Sequence, residues 1–139
     1  MATLKTNTLT GTSTAGSIAV TGEGNSTTTN LQQGLAKAWA DYSGSGTTFS
    51  DSFNCASATD NGTGDYTITL TNSMGSGNFS LTGNLSASAA GDEYTLTFLN
   101  SDTSANSRRI FSSTNYEPGS ANGVTRDNIA NVVFHGDLA

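Results

Sequence analysis

Polar and apolar residues alternate most regularly between Thr59 and Met74. There Tyr66, Ile68 and Leu70 interleave with Thr67, Thr69 and Thr71, behind Asp60-Asn61-Gly62-Thr63-Gly64-Asp65. A period of two belongs to a strand with one buried and one wet face, and the glycine-rich run before it reads as a loop. Similar runs recur: Phe49, Asp51, Phe53 and Cys55 share one parity within Thr47 to Cys55, and Phe79, Leu81, Gly83 and Leu85 follow the turn at Gly75-Ser76-Gly77. Tyr94, Leu96 and Phe98 follow Ala90-Gly91-Asp92, and Arg109 to Ser112 and Ala130 to Phe134 supply two more. Leu35 to Tyr42 fits two helical turns by its Ala and Leu content. It also fits a strand with Ala36, Ala38, Ala40 and Tyr42 on one face, and its shortness before Gly44-Ser45-Gly46 favours the strand.

About seven short strands from Leu35 onward, separated by polar turns, predict an all-β fold: a small antiparallel β-sandwich, jelly-roll-like, or a barrel. Trp39, Tyr66 and Phe98 are expected to help fill its core. The lone Pro118, in Tyr116-Glu117-Pro118-Gly119, reads as a turn, and Ser112 to Asn128 is the longest gap, a length common in binding loops. Up to about Gln33 there is no aromatic residue, and Leu4, Leu9, Ile18, Val20 and Leu31 are too sparse to close a core. Residues 1–33 therefore read as an extended N-terminal arm that orders on a neighbour, with Leu4 to Leu9 and Ser17 to Val20 able to form short strands there. Residues 34–139 form the β domain.

Composition adds a constraint. Leu, Ile, Val and Phe make 24 of 139 residues, about 17%, below the ~20% at which chains resemble disordered ones. Net charge is only −6 and Thr, Ser, Gly and Asn dominate over Lys and Glu, so the charged signature of disorder is missing. A thin core with a β-prone surface fits a chain that completes its burial against copies of itself or a partner.

Five Lys and Arg against 11 Asp and Glu leave no basic field for a phosphate backbone, so no nucleic-acid partner is expected. No stretch approaches the ~20 apolar residues of a membrane span, and Met1-Ala2-Thr3-Leu4-Lys5 lacks the apolar run of a secretory signal. Cys55, the only cysteine, cannot form a disulfide within the chain and reads as a buried small hydrophobe.

Candidate chemistry is sparse. Asn61-Gly62-Thr63-Gly64-Asp65 has the outline of a calcium loop but lacks the further acidic ligands and the closing Glu. His135 is the only histidine and reads as a surface or interface residue; a threefold assembly bringing three copies together would offer a metal site, the weaker reading. Arg108-Arg109 reads as a solvated or interface pair whose members point to opposite faces. Asp51, Asp92, Glu93 and Asp102 are the carboxylates available for a glycosidase pair, and most acids fall in turns. The expectation is no catalytic residues, no cofactor and no metal.

Gly34-Leu35-Ala36-Lys37-Ala38-Trp39, Ser52-Phe53-Asn54, Asp60-Asn61-Gly62-Thr63-Gly64-Asp65-Tyr66-Thr67 and Val133-Phe134-His135-Gly136-Asp137-Leu138-Ala139 occur in that order. Together they resemble a module of tail-fibre-like, virion-surface structural proteins of marine tailed bacteriophages, over about three quarters of the chain. Thr3-Leu4-Lys5-Thr6-Asn7-Thr8-Leu9 is similar to the start of such proteins. The resemblance implies a non-enzymatic virion protein, made in the host bacterial cytoplasm and usually homotrimeric. It would be a capsid decoration (cement) or head-fibre protein whose arm binds a virion capsid or tail protein. The alternative it implies is a receptor-binding tail fibre, with loops such as Ser112 to Asn128 recognising host surface glycans.

Overall fold

The computed structural model describes residues 3–12, 18–21, 28–43, 47–86, 94–98, 104–114, 125–128 and 130–139. The chain divides into two compact units, Met1–Leu35 and Ala36–Ala139. In the first, β1 (Ala19–Thr21) pairs antiparallel with β2 (Thr28–Asn30), which runs into a single helical turn, α1 (Leu31–Gly34). The Leu31 amide donates to the Ile18 carbonyl at 2.8 Å, and the Asn30 side chain accepts from the Gln33 amide as a helix N-cap does. Leu4 to Leu9, able to form a strand where a neighbour supplies the other half of a sheet, forms none within the chain itself. Both leucines are exposed, and no strand among the described residues pairs with them.

Among the described residues of the second unit there are eight strands: β3 (Ala38–Tyr42), β4 (Phe49–Phe53), β5 (Cys55–Gly62), β6 (Asp65–Leu70), β7 (Ser80–Leu85), β8 (Tyr94–Phe98), β9 (Ser107–Thr114) and β10 (Ala130–His135). They form two four-stranded antiparallel sheets, ordered β4-β3-β10-β7 and β5-β6-β9-β8. The fold is all-β, consistent with a small sandwich, and the sheets do not close into a barrel.

Scarcity of large aliphatics is met by pairing large side chains with small ones. Across the inner face of the first sheet, Tyr42 lies opposite Ala130, Val132 opposite Ala40 and Phe134 opposite Ala38. On its other side β10 sets Val132 against Gly83 of β7. A Cβ at Gly83 would fall on the Asn131 carbonyl oxygen and 2.7 Å from Leu96 Cδ2, so the strands pack too closely there for any side chain. The second sheet contributes Ala58, Tyr66, Ile68, Leu70 and Ile110, with Leu96 and Phe98 packed against them. Tyr42 meets Tyr66 edge-on with ring centroids 4.8 Å apart, and Phe79 lies 5.8 Å from Phe134.

Four expectations need correction. Asp60 to Asp65 is not an open loop: β5 runs through Gly62, and only Thr63 and Gly64 turn the chain into β6. Thr47 to Cys55 is not one strand, because Asn54, at φ 56°, breaks it and passes the chain from the first sheet to the second. Asn tolerates this left-handed conformation. Its side chain secures the corner, donating to the Lys37 carbonyl at 3.0 Å and accepting from the Asn72 amide at 2.8 Å.

Trp39 is not in the core. β3 is a strand, as its shortness suggested, but its buried face is Ala38, Ala40 and Tyr42, which leaves Trp39 on the outer face at 36% exposure. Arg108 is not solvated either. It occupies an inward position of β9, buried, its guanidinium 4.2 Å above the Phe79 ring while Nη2 donates to the Gly77 carbonyl at 2.7 Å.

Truncation should separate core from surface. Tyr66→Ala is expected to cost roughly 3–5 kcal/mol and Trp39→Ala less than about 1 kcal/mol, measured by urea unfolding at pH 7.

Candidate functional site

Around the glycine-rich turn the chemistry is turned inward. Asp127 reaches the turn and accepts from the Gly64 amide at 2.7 Å and from the Tyr66 hydroxyl. Ser112 joins it through its amide to the Gly64 carbonyl, and accepts from Arg126 N at 3.1 Å and Asn128 Nδ2 at 3.1 Å. The far end of the Ser112 to Asn128 gap is thereby laced to the β5–β6 turn, and Thr125 bridges Ser113. Residues 115–124, with the expected Pro118 turn, lie outside the described residues. Tyr42 and Tyr66 are buried, and both phenols are held well above their usual range. Burial is the main cause, followed for Tyr42 by Asp60 and Asp127 and for Tyr66 by its hydrogen bond to Asp127. Both stay neutral, so this cluster cements the end of the sandwich.

The other candidate groups are also engaged. Asp65, the suggested cation ligand, forms a bidentate pair with Arg109, whose Nε donates at 2.8 Å, and accepts from Asn61 Nδ2 at 3.3 Å. Arg109 also lies 5.2 Å from the Phe111 ring centre. Asp60 accepts from the Gly62 amide at 2.8 Å, which uses the second carboxylate of the turn. Cys55 is half-buried, its Sγ donating to the Trp39 carbonyl at 3.4 Å, and burial pushes its thiol up to about 11. His135 ends β10 opposite Ser80, half-buried. Asp92, Glu93 and Asp102 lie outside the described residues. Among those described, no three of His, Cys, Asp and Glu gather as a metal site.

What remains outward is a surface that composition did not single out. On the outer face of the first sheet the register aligns Phe53, Trp39, Val133 and Thr82 in one row across all four strands. Trp39 and Phe53 are 36% and 54% exposed. Two residues along each strand, about 7 Å away, a second row aligns Asp51, Asp41, Asn131 and Asn84. Asp41 and Asp51 are directly opposite one another, a like-charged pair that destabilises a sheet. Asp41 Oδ1 is buried without a hydrogen-bond partner among the described residues. Neither protein-family models, nor curated proteins, nor solved structures include a match to this chain. One signal for this surface was present in the sequence: the parity that buries Ala38, Ala40 and Tyr42 sends Trp39 to the opposite face.

Two outcomes test these contacts. Gly64 has φ +68°, and a Cβ there would fall on the Ser112 carbonyl oxygen and 2.8 Å from Arg126 N. Gly64→Ala is therefore expected to cost roughly 2–5 kcal/mol in denaturant unfolding. The Arg109 guanidinium holds the Asp65 carboxyl below its ordinary range. Its contribution is thus fully present above the unfolded value of about 3.9 and is lost as the pH falls through the lower folded value. In acid titrations followed by circular dichroism, Asp65→Asn should be less stable than wild type at neutral pH. The two should converge only as the pH falls below the depressed folded value.

Proposed function

We propose that the chain is a non-enzymatic bacteriophage virion-surface structural protein, a homotrimeric capsid decoration or head-fibre protein. It attaches to the particle through its N-terminal arm and presents the β domain outward. The observation that carries this reading is the state of the arm. Leu4, Leu9 and Val20 are 81%, 54% and 51% exposed, and among the described residues the secondary structure of the arm is a pair of three-residue strands and one helical turn. A polar spacer has no need of large aliphatics; spaced along an extended segment, they suit a groove on another protein. The engagement of the turn carboxylates, Arg108 and Arg109 in internal contacts further supports a structural role over a catalytic one.

Two measurements on purified phage particles test the reading. Quantitative mass spectrometry should find hundreds of copies per particle, as a capsid decoration requires; a few tens at most would instead place the protein at a tail tip. Chain lacking residues 1–33 should remain folded by circular dichroism and fail to co-sediment with particles that bind the full chain. Co-sedimentation of the truncated chain would rule out attachment through the arm.

A further inference from the structure

The two rows on the outer face of the first sheet differ from the described outer face of the second. On the outer face of the second sheet β6 presents Asp65, Thr67 and Thr69 and β9 presents Arg109 and Phe111, and there the guanidinium pairs with Asp65 and lies 5.2 Å from the Phe111 ring centre. On the first sheet a tryptophan and a phenylalanine stand side by side on adjacent strands, exposed, beside a row of two carboxylates and two amides. Neither row serves the fold well. Exposed aromatics lose burial, and facing carboxylates repel.

We propose that this face is a saccharide-binding surface, with Trp39 and Phe53 as the platform for pyranose rings and Asp51 and Asn131 as partners for their hydroxyls. The chemistry favours that occupant over others. The apolar C–H face of a pyranose lies flat on an aromatic ring, and its hydroxyls, each both donor and acceptor, match carboxylate acceptors beside amides that donate and accept. The spacing between the rows, about 7 Å, sets ring and hydroxyl contacts within reach of one sugar unit. An anionic partner is repelled by Asp41 and Asp51. A second copy applied through the same face would bring four carboxylates together in one interface. The inference is independent of the arm's role, because it rests on residues of the second unit alone.

Full-length protein is run in native gels each containing one neutral polysaccharide: mannan, dextran, laminarin, galactan or xylan. Retardation is expected in at least one gel, unchanged at about 1 M NaCl, where screening acts beyond about 3 Å. Trp39 is the only tryptophan, so oligosaccharides of the retarding polysaccharide should shift its emission to the blue. Trp39→Ala and Phe53→Ala should each weaken binding about tenfold. Asp51→Asn should weaken it less, and Thr69→Ala, on the opposite sheet, should not change it. Circular dichroism checks folding; were Trp39→Ala to unfold, Phe53→Ala and Asp51→Asn would still decide the matter. No retardation in any gel overturns the proposal, as does retardation that survives both aromatic substitutions. Retardation abolished by salt also overturns it and points to a basic partner. A fall in sedimentation coefficient on Phe53→Ala without any retardation overturns it in favour of a contact between copies.

Discussion

The edge-on contact of Tyr42 with Tyr66 joins the two sheets, and much of the domain's arrangement follows from it. A chain with few large aliphatics fills the middle of its sandwich with tyrosine rings, and each ring brings a hydroxyl that is costly to bury unpaired, as that of Tyr42 is among the described residues. The Tyr66 hydroxyl is met by Asp127, which also takes the Gly64 amide. That requires the 125–128 segment to lie over the β5–β6 turn, and Gly64 to be bare enough for the backbones of Ser112 and Arg126 to close on it. Core filling and loop placement are thus one problem. Small residues solve the other half: Ala130, Ala38 and Gly83 leave the room that Tyr42, Phe134 and Val132 occupy.

Alternation made the central strands readable. β6 and β10 are each flanked by two partners, and their inward residues, Tyr66, Ile68 and Leu70 on one and Ala130, Val132 and Phe134 on the other, are apolar without exception. Edge strands gave less signal. β5 has a neighbour on one side only, buries Ala58 alone among its inward residues, and shifts register near Ala56 and near Asn61, so its Thr-Asp-Asn-Gly run looks like a turn. Arg108 was misjudged for a different reason. Parity placed it opposite Arg109, but a sequence does not state that the inward arginine will find a carbonyl and an aromatic ring at the end of the sandwich. The candidate surface was half legible: the parity of Trp39 was plain, whereas its alignment with Phe53 depends on the register of the β3–β4 pair, which shifts between Asp41 and Tyr42, and that with Val133 on pairing with a strand distant in sequence.

The two outer faces are chemically distinct. One sheet presents hydroxyls and a closed ion pair whose guanidinium lies beside the Phe111 ring, groups already engaged with one another. The other presents aromatics and carboxylates left without each other's help. Such division of labour suits a thin domain, since a sheet that turns one face to the core has only the opposite face to use.

The order β4-β3-β10-β7 places the last strand of the chain in the interior of its sheet. Its partners on either side, β3 and β7, are made long before it, and β3 pairs with it across nearly the whole length of the unit. During synthesis those strands wait as open edges until residues 130–135 leave the ribosome and insert between them. Closure of the first sheet is therefore a late event in the life of each chain. Trp39 and Phe53 are aligned by β3 and β4 alone, whereas Val133, Asn131 and the residues of β7 join their rows only when β10 arrives, so an incomplete chain displays half of this surface.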